Sequence, residues 1–418
     1  MEKESQREER VSMVGLLPSF FHIGLATFIR MFKAPFRGTK GAPTLKRDIA
    51  YATVREILSR LSARESQSLT ASTQRYLTTF QFRTLSDECR TYEKEAKAIH
   101  WIPSTVDLGG GTKGHWLGRS DAKYVMIFFH GGGYIGHATS GHLKYQFSLQ
   151  KATRDVGNDF SIFSVTYTLA PYKNYPYQLQ QAVTVLKYLL DKEQRDPAKV
   201  STTPFHTVVL ANISKILLGG DSAGANLVSA LLLHLAHPHP LVDRIQLTSN
   251  LKGALLISPW ISFETKSPAF KDNAESDYLT IAALNRASST FIGPGNIDEY
   301  AEPIRAPPEW WKSVAERVVD EVMIWGGGGE ILIDSIRIFA NAIAEGFASA
   351  DVAYIYAGAT TNKDMNGGVF RRRIGRERVF YVETPRASHE EQIMNYTLNI
   401  KGKTPAATVI EEWVNARL

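Results

Sequence analysis

The run Leu217-Leu218-Gly219-Gly220-Asp221-Ser222-Ala223-Gly224-Ala225-Asn226 reads as a short apolar strand that breaks through Gly-x-Ser-x-Gly into a helix continuing to about residue 235. A serine hydroxyl is a weak nucleophile at neutral pH, and a strained strand-to-helix turn lifts it clear of its neighbours, within reach of a base. Gly220 and Gly224 permit that turn, because a Cβ at either position would hold the strand and the helix apart. The positive end of the helix would favour an anion forming beside Ser222. The same pattern also suits a turn whose Ser merely caps the helix, so the neighbouring segments decide.

Upstream, Tyr124-Val125-Met126-Ile127-Phe128-Phe129 reads as a buried strand ending in His130-Gly131-Gly132-Gly133-Tyr134. Three glycines after an apolar strand leave a backbone whose N–H groups can turn into a cavity. Such donors, aimed where negative charge develops, typically supply about 3 kcal/mol each. The expected oxyanion hole is the amides of Gly131 and Gly132 together with that of Ala223.

Composition sets bounds on this reading. The chain has 418 residues, 44% of them hydrophobic, which is enough for one large core. Its net charge of +6 raises the question of nucleic acid, but the densest basic run, residues 371–378, carries no interleaved aromatic platform and reads as solvated surface. With Cys89 as the single cysteine, no intramolecular disulfide is available. Clustered His234, His237 and His239 are split by two prolines and have no Cys or carboxylate alongside, so they read as a helix terminus and no metal is implied. No cofactor is implied either. Strands and helices alternate from about residue 102, the pattern of an α/β chain with a mostly parallel sheet and helices on both faces.

His-Gly-Gly-Gly at residues 130–133 followed by Gly-Asp-Ser-Ala-Gly at 220–224 resembles the hormone-sensitive-lipase-like branch of the α/β-hydrolases. Tyr167-Thr168-Leu169-Ala170-Pro171, Tyr175-Pro176 and Ser258-Pro259-Trp260 extend the resemblance over roughly residues 95–400. Within the branch the chain looks most similar to fungal-type hydrolases that resemble sterol deacetylases and esterases of secondary metabolism. The resemblance implies an α/β-hydrolase fold with a helical cap, and a catalytic order of Ser, then acid, then His. The implied base is His389, after the strand Val379-Phe380-Tyr381-Val382, while His130 would support the oxyanion loop. The implied acid is Glu330, standing where relatives usually carry Asp, with Asp334 four residues later as the reserve candidate.

That comparison also divides the chain. Residues 45–418 are the hydrolase domain, with a cap drawn from about 45–95 and 262–315, and residues 1–44 are an apolar and basic N-terminal segment. Residues 12–29 are apolar and are followed by Arg30, Lys33, Arg37 and Lys40. A spanning anchor, a helix lying on the bilayer surface and a helix packed on the cap all stay open. Glu2, Glu4, Glu8 and Glu9 argue against a cleaved signal peptide, so the expected location is intracellular, at the endoplasmic reticulum or the cytoplasmic face of a membrane if residues 12–29 associate with lipid. The expected activity is hydrolysis of a carboxylic ester of a hydrophobic small molecule through an acyl-enzyme on Ser222. A non-hydrolytic binder on the same frame and an acyltransferase are the alternatives. The Gly-rich, polar stretch at 357–377 is longer than the crossing relatives make there.

Overall fold

The computed structural model describes residues 13–38, 40–67, 87–191, 215–348, 356–358 and 378–418. Most of the Gly-rich stretch at 357–377 falls outside them, as does most of the basic run at 371–378. Nine described strands form one sheet: β1 (Thr105–Gly109), β2 (Thr112–Leu117), β3 (Tyr124–Phe129), β4 (Phe160–Thr166), β5 (Ile216–Asp221), β6 (Gly253–Ile257), β7 (Val322–Gly327), β8 (Tyr356–Gly358) and β9 (Val379–Thr384). Their order is β1-β2-β4-β3-β5-β6-β7-β9-β8. β2 runs antiparallel to both β1 and β4, and every other pairing is parallel.

The unbroken apolar runs of the sequence follow from this arrangement, because a parallel sheet covered on both faces needs apolar side chains at odd and even positions alike. Val125, Ile127 and Phe129 of β3 enter one core, with Leu218 of β5, Ile324 of β7 and Tyr381 of β9. Met126 and Phe128 point the other way, into a second core with Leu217, Trp325 and Phe380. The first core is closed by the helices Tyr177–Leu190, Ala223–Ala236 and Ile333–Ala348, the second by Ser140–Asp155 and Pro405–Asn415. Because β3, β5, β6, β7 and β9 are mutually parallel, the loops that follow them all emerge at one edge of the sheet. In open α/β sheets that edge is where sites are built.

The helix Met13–Lys33 belongs to the folded body. Leu16 and Ile23 are buried, and Thr27 Oγ1 lies 2.9 Å from Thr53 Oγ1 on the helix Leu45–Arg60. Arg30 Nε donates to the buried carboxylate of Asp48 at 2.7 Å. The opposite side of the helix exposes Leu17, Phe21, Phe28 and Phe32 to solvent, and Phe36 follows them. By length and composition alone the stretch 15–36 is apolar enough to cross a membrane.

Candidate active site

Ser222 follows β5 and caps the helix Ala223–Ala236 with φ +49° and ψ −117°, a conformation costing a non-glycine residue roughly 1–3 kcal/mol. Its amide donates to Ile257 O at 2.9 Å, and its carbonyl accepts from Trp260 N at 3.1 Å and Asn226 N at 3.0 Å, so the strained residue is gripped from three sides. A methyl group on Gly224 would collide with the Phe129 carbonyl, which is why glycine stands there. Asn226 fixes the elbow from below: its side chain donates to Trp260 O and Ala301 O and accepts from Tyr134 Oη at 2.6 Å. Tyr134 is itself a core aromatic, stacked on Phe291 with ring centroids 3.8 Å apart.

Glu330 lies in the turn after β7 and His389 in the turn after β9. His389 Nδ1 is 2.6 Å from Glu330 Oε2, and neither side chain is exposed. The other carboxylate oxygen, Glu330 Oε1, accepts from Gly327 N at 2.6 Å and from Ser258 Oγ at 3.0 Å. Asp334 is engaged elsewhere, accepting from Ala269 N at 2.9 Å and pairing with Arg337 at 3.2 Å. Burial works against a charged imidazole, but the Glu390 charge and the hydrogen bond that the ring donates to Glu330 outweigh it and hold the His389 pKa well above its ordinary value.

Several residues without a role in the sequence reading hold this arrangement. Asp277 Oδ1 accepts from the amides of His389 (3.2 Å) and Tyr278 (2.8 Å), while its Oδ2 accepts from Ile331 N at 2.8 Å. It thereby ties the acid turn to the base turn, and burial pushes its carboxyl up to about 6. Ser258 Oγ, which donates to Glu330, also accepts from Glu390 N at 3.1 Å. The helix Leu45–Arg60 braces the same turn: Ser388 Oγ donates to Tyr51 Oη at 2.7 Å, and Arg47 pairs with Glu391 at 2.6 Å. An isolated Asp or Ser in an irregular stretch gives no local sign of such a duty, since its partners lie on distant segments.

The oxyanion loop corrects one expectation. Gly131 N donates to Asp221 Oδ2 at 2.7 Å, so this amide is already committed and is not available to an oxyanion. The amides of Gly132, Gly133 and Ala223 have no acceptor among the described residues. Gly133, passed over in the sequence reading, therefore replaces Gly131 as a donor candidate. Gly132 needs its glycine: φ is +108°, and a Cβ would sit 2.7 Å from Gly136 O. His130 stacks on Tyr167 with centroids 4.4 Å apart, and its Nδ1 lies 2.6 Å from Gly131 O, a bracing position for the loop.

Gly131 lies between Ser222 and Glu390: a Cβ placed on that residue would lie 3.1 Å from Ser222 Cβ and 2.6 Å from Glu390 Oε1, and that oxygen is 3.5 Å from His389 Nε2. No hydrogen bond joins Ser222 Oγ to Nε2 here, and such bonds often tighten only when substrate binds.

His142, Asp221 and Glu390 bring donor atoms within 4.8 Å of one another, a spacing that invites a cation. The tautomer argues against one. His142 Nδ1 accepts from Thr139 N at 3.1 Å, so Nε2 carries the proton and donates it to Asp221 at 3.1 Å, leaving no lone pair for a metal. His234 and His239 are likewise used locally: His234 Nε2 meets Asp243 O at 3.0 Å and its Nδ1 accepts from His239 N at 3.0 Å.

Known proteins share this framework. The family model described as alpha/beta hydrolase fold matches residues 126–359. A probable carboxylesterase 6 of Arabidopsis thaliana is 28% identical over 43% of this chain and 50% of its own length. Steryl acetyl hydrolase 1 of Saccharomyces cerevisiae is 23% identical over 53% of this chain and 48% of its own length. The chain thus spans about half the length of these curated relatives. Among solved structures, carboxyl esterase 2 of the mycorrhizal fungus Tuber melanosporum superposes with a TM-score of 0.54 at 19% identity, covering 76% of this chain and 87% of its own. A thermostable esterase of Pseudomonas putida gives 0.58 at 15% identity, covering 90% and 97%. With the strained serine just after β5, the glycine loop after β3 and the family model matched over more than half of its length, the chain belongs to the alpha/beta hydrolase fold family.

Proposed function

We propose that the protein is a serine carboxylic-ester hydrolase acting on a hydrophobic small molecule. The observation carrying this reading is the enclosed 2.6 Å contact between His389 Nδ1 and Glu330 Oε2, in a chain whose Ser222 is held at positive φ. Glu330 keeps the Nδ1–H tautomer, which leaves the Nε2 lone pair to take the Ser222 hydroxyl proton as Oγ adds to the ester carbonyl carbon. Gly132, Gly133 and Ala223 donate to the oxyanion. The tetrahedral intermediate collapses, its carbon–oxygen bond to the alcohol breaks, and His389 returns the proton to that alcohol. Water, deprotonated by the same imidazole, then releases the acid and frees Ser222.

The names of the yeast and plant relatives make an acetyl or other short acyl ester of an apolar alcohol the substrate class we favour. The helices at 45–60 and 281–292, which touch one another, are our candidates for the cap that selects it. The second partner we propose is a lipid surface. Arg30 pins the helix Met13–Lys33 to the body through Asp48, while Phe21, Phe28 and Phe32 stay exposed, which favours a helix lying in the interface over a spanning one.

The test is intact-mass detection of a fluorophosphonate adduct mapped to its residue, run alongside release of p-nitrophenol from short-chain esters. One adduct on Ser222, with both signals lost in Ser222→Ala, is expected. Saturable binding of the esters without turnover, or an adduct elsewhere, would overturn the assignment.

A further inference from the structure

Glu390 occupies the site without a part in the steps above. Its backbone is left-handed, with φ +48° and ψ +37°, which turns the side chain of the residue following His389 back toward the imidazole. The side chain is 6% exposed. Glu390 Oε2 accepts from Tyr278 Oη at 3.2 Å, while Oε1 has no hydrogen-bond partner and lies 3.5 Å from His389 Nε2. Asp221 stands behind it, with Oδ2 taking the amide of Gly131 and the ring N–H of His142, and Oδ1 bare. Two enclosed carboxyl groups at this spacing cannot both be ionised without a cation between them, and the tautomer of His142 shows that it does not supply one.

We propose that Glu390 competes with Ser222 for the Nε2 edge of His389, so that the nucleophile is activated only while the Asp221–Glu390 carboxyl pair retains a proton. This deepens the hydrolase reading and rests on it. One proton has two resting places. On the carboxyl pair it leaves His389 neutral, with its Nε2 lone pair free for the Ser222 hydroxyl. Moved to Nε2, it makes an imidazolium held between Glu330 and Glu390 that cannot act as a base. The proton is transferred between Glu390 Oε1 and Nε2, and no other reactant is needed. The groups facing this pair are Glu330 from the turn after β7, Asp277 and Tyr278 from the segment before the helix Ile281–Ile292, Asp221 from the end of β5, His142 from Ser140–Asp155 and His130 from the glycine loop. Burial and the Asp221 charge both favour a protonated Glu390.

The experiment is the pH dependence of fluorophosphonate labelling and of kcat/KM for the wild type and Glu390→Gln. The amide keeps the shape of the side chain and removes the competing anion. The acid limb is expected to move down by about one pH unit or more, so that labelling on that limb speeds up about tenfold. Tyr278→Phe removes only the hydroxyl that stabilises the Glu390 carboxylate, and is expected to move the limb the same way by less. Should Glu390→Gln not fold, Tyr278→Phe decides. An unmoved limb in the folded variant overturns the proposal while leaving the hydrolase reading intact, and a wild type inert to fluorophosphonate at every pH overturns both.

Discussion

His389 Nδ1 and Glu330 Oε2 stand 2.6 Å apart although their residues are 59 positions apart in the chain, and Gly327 N and Ser258 Oγ secure the far oxygen of the same carboxylate. Both oxygens of the Glu330 carboxylate are thereby held. Glu330→Gln keeps the volume but offers an amide where the imidazole needs an acceptor, and is expected to lower kcat by about 10⁴-fold with little change in KM. Asp334→Asn is expected to leave kcat within about threefold, since Asp334 faces Ala269 and Arg337. Steady-state kinetics on a p-nitrophenyl ester distinguish them, and equal losses in the two variants would contradict the assignment.

Ser258 joins the acid turn to the base turn through a single hydroxyl. Ser258→Ala leaves Glu330 Oε1 one donor short and the Glu390 amide without its acceptor. The expected cost is about 1–3 kcal/mol of stability, together with a drop of roughly tenfold or more in kcat. Urea unfolding read beside kinetics would show both effects, and a variant unchanged in each would mean the hydroxyl is dispensable.

Asp277 gives stability a pH dependence whose sign can be worked out. Its carboxyl is pushed up to about 6, above the ordinary value near 4. Between those values the folded chain binds more protons than the unfolded one, so this group's contribution is fully present below about pH 4 and is lost as pH rises through about 6. Asp277→Asn cannot ionise, so its stability relative to the wild type is expected to improve by about 1–3 kcal/mol between pH 4 and pH 7. A pH-independent difference in urea midpoints would refute this.

The lipid-surface reading rests on side chains far from the chemistry. Phe21→Glu with Phe28→Glu places charge on the exposed side of the first helix while leaving Leu16, Ile23 and the Arg30–Asp48 pair in place. Cosedimentation with anionic phospholipid vesicles is expected to fall about tenfold or more, with turnover of a water-soluble ester unchanged. Retained cosedimentation of the double variant would count against the helix as the contact.

The oxyanion donors can be tested through Gly132. Alanine there faces both an unfavourable positive φ and the Gly136 carbonyl, so displacement of the loop is expected to cost about 100-fold or more in kcat. A folded Gly132→Ala with wild-type kcat would exclude the loop from the chemistry.

Local sequence alone determined the strands β3, β5 and β9 and the serine turn. Apolar character at consecutive positions and glycines around one serine are short-range signals, and burial on both faces of the sheet leaves few other arrangements. Which atoms meet at the carboxyl edge was decided only by the tertiary structure. Glu330 and Asp334 are four residues apart and chemically alike, yet one faces His389 and the other Ala269. Gly131 and Gly132 are adjacent, but an aspartate 90 positions away claims the amide of the first. Glu390 enters the site only because its backbone turns left-handed. Hydrogen bonds and charge pairs act over a few ångströms in space, and chain order does not encode that distance until the sheet has brought its loops together.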